Sequence, residues 1–136
     1  MSHPKAVYTR FNEILNDRLP EGVDEVCASD MVGHAGAGAS LAEFKESYGA
    51  FLDAFPDLQL KIRYLVSEDD LVSAWLTLKG THLGEFAGVP GTGREISIAG
   101  WDLARIKDGR IVELTQYCDL FTLMNQIGAL PTAAPA

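Results

Sequence analysis

From Ile96 to Ile106 one face of an alternating segment reads Ile96, Ile98, Gly100, Asp102, Ala104, Ile106, and a carboxylate interrupts it. Successive side chains of a strand point to opposite faces, so Asp102 is aimed wherever its apolar neighbours are aimed. Burial disfavours the charged form of a carboxyl and raises its pKa, which suits the group to exchanging protons near neutral pH. The other readings are an aspartate bonded to backbone or to an arginine, or a face open to solvent. Counting back from the "KDGR" turn, with one bulge residue allowed for, sets Gln116 beside Asp102 on the next strand, on the face of Val112, Leu114 and Cys118. An amide there can orient a carboxylic acid or bind a carbonyl oxygen.

Two histidines extend this polar set. His82 ends the apolar face Val72, Ala74, Leu76, Leu78, Gly80, which puts its imidazole at the rim of whatever the sheet encloses. His34 lies in the extended segment "DMVGHAG". Each alone reads as a structural histidine; with Asp102 and Gln116 they make the candidate catalytic group. The spacing of His3, His34 and His82 matches no metal motif, and neither a metal nor an organic cofactor is expected. Cys27 and Cys118 are far apart, sit among apolar residues and read as small buried thiols. Asp119 precedes "LFTLMNQIG" and reads as a helix cap.

The segment "GVPGTGRE", Gly88 to Glu95, approaches a phosphate-cradling loop, but Arg94 and Glu95 replace the lysine and the hydroxyl. A strand rather than a helix follows it, so no helix N-terminus meets an anion there. The segment reads instead as a connection at the rim of a pocket.

The elements that must position these residues follow from periodicity. Ser2 and Pro4 open a first helix carrying Val7, Phe11, Ile14 and Leu15 on one face, ending near "LPEG". A short helix is expected over residues 23–28. Ser40 and Glu43 form a capping box for a long helix with Phe44, Tyr48, Phe51, Leu52 and Phe55, stopped by Pro56. Period two then sets in: Leu58, Leu60, Ile62, Tyr64 and Val66 share a strand face, and three further strands follow, the last two joined at Gly109. A final helix runs from Asp119 to Gly128. Strands grouped after helices imply an α+β domain with a mostly antiparallel sheet. Trp75 and Trp101 fall on the faces opposite the apolar stripes, where a subunit interface would cover them, so a homodimer is expected.

The chain has 136 residues, about one domain's length. Residues 1–130 are read as the domain and 131–136 as a disordered tail. A net charge of −8 with no Lys/Arg cluster argues against nucleic acid and anionic membrane as partners. No apolar run approaches the ~20 residues that span a bilayer, and the N-terminus lacks an apolar signal core, so a cytoplasmic protein is expected.

With "FPDLQLKI", "GTHLGEFAGVPGTGREISIAGWDLARIKDGRIVEL" and "CDLFTLMNQIG", the chain resembles the SnoaL-like polyketide cyclases of the nuclear transport factor 2-like superfamily. The resemblance covers almost the whole chain. It implies a cone-shaped barrel in which a curved sheet wraps around helices and leaves a deep apolar pocket. It further implies acid/base chemistry without a cofactor, in which a carboxylate exchanges a proton with an acidic carbon of a polyketide and an intramolecular aldol closure follows. His82 matches the family's "GTH", and His34 a frequent histidine. Where the family often reads "EHWD" this chain reads "ELTQ", so Gln116 takes the usual aspartate position. An amide is no base at neutral pH, which leaves Asp102 as the leading carboxylate. The expected function is a cofactor-independent cyclase acting on a hydrophobic small molecule. An epoxide hydrolase, an isomerase and a non-catalytic binder of a hydrophobic metabolite are the alternatives.

Overall fold

The computed structural model describes residues 3–129. Helix α1, Pro4–Asn16, presents Val7, Phe11, Ile14 and Leu15 to the core as their spacing requires, and Tyr8 joins them. Its cap is His3, whose ring accepts from the Lys5 amide at 3.1 Å; the expected cap Ser2 and the expected tail 131–136 lie outside the described residues. The short helix expected over 23–28 is a 3-10 turn at Pro20–Glu25. Pro20 supplies its first position, and Cys27 and Ala28 already belong to strand β1, Cys27–Ala35. Helix α2, Leu41–Ala54, is capped by Ser40, which accepts from the Glu43 amide at 3.2 Å, and stops before Pro56.

Strands β2 (Gln59–Glu68), β3 (Leu71–Thr81), β4 (Glu95–Lys107) and β5 (Arg110–Cys118) form an antiparallel run. β1 adds to it in parallel with β5, giving one open mixed sheet in the order β1-β5-β4-β3-β2. The helices pack against one face of it, and α3, Leu120–Gln126, lies against β4 under its Asp119 cap. The β4–β5 turn has both central residues at positive φ, Asp108 at 53° and Gly109 at 75°, the twist a two-residue hairpin needs.

Two bulges shift the alternation. In β2 the pairing slips between Ile62 and Tyr64, so Tyr64 and Val66, expected inward, are exposed and Leu65 turns in. In β5 the slip leaves Val112 as the extra residue: Ile106 pairs Ile111, while Arg105 pairs Glu113. The inner face of β5 is therefore Ile111, Leu114, Gln116 and Cys118, with Val112 only half-buried. β3 and β4 alternate without interruption, and Val72, Ala74, Leu76 and Leu78 face the helices beside Ile96, Ile98, Ala104 and Ile106. A ladder of rings, Tyr8, Phe11, Phe44 and Tyr48, runs from α1 to α2 above that face with centroids 5.6–6.1 Å apart.

Candidate active site

Asp102 sits in the middle of β4's inner face and is 3% exposed. Its strand register fixes its neighbours, Ala74 on β3 and Gln116 on β5. The bulge at Val112 secures that second pairing. Without the extra residue Asp102 would face Thr115, and Gln116 would point to the other side of the sheet. Above the carboxyl the phenol of Tyr8 donates to Oδ2 at 2.5 Å, a charge-assisted bond across 94 residues of chain. Asp102 is thus held by a tyrosine, not by backbone or an arginine.

Burial pushes the Asp102 carboxyl up to about 6, against the opposing effect of hydrogen bonding from Tyr8 and Gln116. Tyr8 in turn is held well above the ordinary phenol range, first by burial and then by the charge of Asp102 and their shared hydrogen bond. At neutral pH the phenol is therefore the protonated donor of the pair. Near neutral pH the pair is an ionised base whose Oδ2 is engaged by Tyr8, with the Gln116 amide as its second neighbour.

A cavity of about 120 Å³ opens beside this pair. Helix α2 roofs it with Phe44, Tyr48 and Phe51, and Leu76, Leu78 and Gly100 form its floor. Tyr48 spends its hydroxyl on the Leu15 carbonyl at 2.7 Å, so its ring is apolar wall. Asp102, Gln116 and the half-buried thiol of Cys118 are the polar groups at depth, while exposed Ser47 and Gly36 mark the mouth. The Cys118 thiol is pushed up by burial and then by Asp119 and Asp102, and buried Cys27 rises to about 12, chiefly through burial. Both cysteines are free.

Of the four predicted residues, Asp102 and Gln116 come together in this cavity and the two histidines stand outside its lining. His82 is fully buried against Phe55, with ring centroids 5.5 Å apart. Its Nδ1 accepts from the Thr92 amide at 3.3 Å and lies 3.0 Å from Thr92 Oγ1. The ring thereby pins the glycine loop. That loop docks on the end of α2, where the Leu83 and Gly84 amides both donate to the Ala54 carbonyl. A Cβ at Gly84 would fall 2.2 Å from the Asp53 carbonyl oxygen, so only glycine fits there. The expected rim stands one layer back from the cavity: Phe86 of the loop packs edge-on at 5.5 Å against Phe51, which lines it. His34 points outward and pairs with Glu113 at 2.9 Å.

Sequence reasoning missed Tyr8. It lies three residues before Phe11 on the apolar face of α1, where an aromatic reads as core, and it becomes a polar partner only because Asp102 is beneath it. Among the described residues no group of three or more His, Cys, Asp or Glu is arranged to hold a metal, and no helix is long and apolar enough to cross a membrane.

Comparison with known proteins places this arrangement. The family model of the SnoaL-like polyketide cyclases matches residues 5–127. AclR of Streptomyces galilaeus, a candidate hydroxylase, is 30% identical with a TM-score of 0.87, over 96% of this chain and 83% of that one. IdmH of Streptomyces antibioticus, a candidate polyketide cyclase, is also 30% identical, with a TM-score of 0.85 over 93% of this chain and 99% of that one. TsrD of Streptomyces laurentii shares the fold at 24% identity and a TM-score of 0.84, over 96% and 99%. Among curated proteins none matches. A match over nearly the whole chain, joined to an α+β sheet whose helices roof an apolar cavity, establishes that this chain belongs to the SnoaL-like polyketide cyclase family.

Proposed function

We propose that the chain is a cofactor-independent cyclase whose general base is Asp102, acting on a hydrophobic, polyketide-like small molecule. The observation that carries this reading is the Asp102–Tyr8 pair, a buried carboxylate with a raised pKa set in the wall of an apolar cavity. In the proposed reaction ionised Asp102 takes a proton from a carbon flanked by carbonyls. Gln116, an amide with N–H donors, stabilises the oxygen on which enolate charge develops. The enolate carbon then bonds to a second carbonyl carbon of the same molecule. The proton held by Asp102 returns to the resulting alkoxide, so the product is an isomer of the substrate. Tyr8 acts as a positioning residue, holding one carboxylate oxygen so that the other meets the substrate. His82 anchors the glycine loop and His34 belongs to the outer surface.

The test is turnover of a linear or partly cyclised poly-β-ketone by the wild type and by Asp102→Asn, with ligand binding measured in parallel. Lost turnover with binding kept is expected; undiminished turnover overturns the assignment of the base. Oxygen from labelled water in the product would indicate hydrolytic opening instead.

We further propose that the protein works as a homodimer in the cytoplasm. The outer sheet face exposes Tyr64, Trp75 and Tyr117, with Trp101 stacked on Tyr117 at 6.1 Å, and both cysteines are unpaired. Sedimentation of the wild type and of Trp75→Glu tests the dimer: a lighter species for the variant is expected, and a monomeric wild type overturns it.

A further inference from the structure

The floor of the cavity shows what limits its length. On β4 Gly100 lies two residues from Asp102 and pairs with Leu76 on β3, and Leu78 comes two residues further along. A Cβ built at Gly100 would meet Leu78 Cδ1 at 2.5 Å. The Leu78 side chain therefore lies across the space that any other residue at position 100 would fill. Both residues line the cavity, so the leucine side chain covers the floor over Gly100, two residues along the strand from Asp102. From Asp102 to the strand position opposite Leu78 is four residues, roughly 13 Å of strand.

That covering matches the volume. A dry apolar cavity of about 150 Å³ accepts a single benzene ring. At about 120 Å³ this half-open cavity matches the size of one ring, whereas ligands of several rings occupy pockets of roughly 300 Å³ or more. We infer that Leu78, lying across Gly100, is the specificity-determining residue of this cavity, restricting the part of a substrate that enters to one six-membered ring bearing an oxygen. Any further length of the substrate lies along the mouth, past Ser47 and Gly36. This rests on the cavity being the substrate site, and it names the size class that site takes.

The experiment compares the dissociation constants of phenol and 2-naphthol, read by calorimetry, for the wild type, Leu78→Val, Leu78→Ala and Gly100→Ala. With no steric limit, the apolar area of a second ring strengthens binding about tenfold. The wild type is expected to bind 2-naphthol no more tightly than phenol. Leu78→Ala is expected to bind 2-naphthol at least tenfold more tightly than phenol, and Leu78→Val to fall between. In Gly100→Ala the new methyl drives Leu78 into the cavity, and phenol binding is expected to weaken about tenfold. The inference is overturned if the wild type already favours 2-naphthol tenfold, or if folded Leu78→Val leaves the ratio of the two constants unchanged. Leu78→Val removes one carbon and introduces the β-branch that strands favour, so it serves where Leu78→Ala fails to fold. The same ligand pair and turnover are measured on Asp102→Asn. A wild type that binds 2-naphthol no more tightly than phenol, together with undiminished turnover in Asp102→Asn, would remove the base and leave the size limit standing; a wild type that favours 2-naphthol tenfold, beside lost turnover in Asp102→Asn, would do the reverse.

Discussion

Two carboxylates on neighbouring strands meet opposite fates across a single sheet. Asp102 on the inner face of β4 is shut away with Tyr8, and its pKa rises to about 6. Glu113 on the outer face of β5 is 41% exposed, and its pKa falls, first through the bond to His34 and then through Arg105 at 3.2 Å, which Asp70 binds in turn at 2.9 Å. Arg105 is only three residues from Asp102. The backbone context is nearly the same, so what separates the two groups is access to water and to a cation. Inside, burial outweighs two hydrogen bonds. Outside, hydrogen bonds from His34 and Arg105 outweigh a weak desolvation, and solvent screens the result.

If that contrast is right, Asp102→Asn should show the largest effect. Turnover should fall 10²–10⁴-fold, the usual contribution of a positioned base, with ligand affinity kept. Next comes Tyr8→Phe, which keeps the ring and removes the donor. Because the Tyr8 bond lowers the Asp102 pKa, its loss should raise that pKa further and move the acid limb of the turnover profile upward. It should also cost about 1.5–3 kcal/mol of stability, the range for hydrogen bonds to charged groups. A carboxyl titration followed by NMR checks the direction, and a downward shift would break the comparison.

Stability against pH gives a third and smaller signal. The folded pKa of Asp102 lies above its unfolded value, so the native state holds the proton more tightly. Its contribution is fully present below pH ~4 and is lost as pH rises through about 6. The two pKa units between 3.8 and about 6 convert to an upper bound on the order of 3 kcal/mol. Asp102→Asn should therefore gain stability relative to the wild type at pH 8 compared with pH 4, measured by denaturant unfolding; an unchanged difference would mean that the carboxyl is not desolvated. The smallest effects belong outside. His34→Asn should leave turnover unchanged, and Glu113→Gln should shift the unfolding midpoint by an amount that disappears with added salt. A marked loss of turnover in His34→Asn would return that histidine to the site.

The inner wall was legible in the sequence because β3 and β4 alternate without a break, which set Asp102 among apolar residues by counting alone. The caps at Ser40 and Asp119 were legible for the same local reason, their acceptors and helices being adjacent. What escaped was set by single-residue slips and by distant partners. The bulge at Arg63 sends Tyr64 and Val66 outward. A slip between Cys27 and Val32 accompanies the pairing of β1 with β5, in which His34 shares the outer surface with Glu113. His82 did face inward, but Phe55 and Thr92, neighbours only in the fold, commit it to the loop. Tyr8 needed knowledge that α1 crosses β4, and periodicity within α1 holds none of that.

The bond between Tyr8 and Asp102 also sets an order of events in time. Its partners are 94 residues apart, so it belongs to the class of contacts that close large loops and form late. A chain emerging from the ribosome carries its first helix long before the strand bearing Asp102 exists, and until the two dock that aspartate is an ordinary solvated carboxylate. The raised proton affinity of Asp102 thus arrives together with the native topology. Under the proposed mechanism, loss of activity during unfolding should coincide with separation of the N-terminal helix from the sheet.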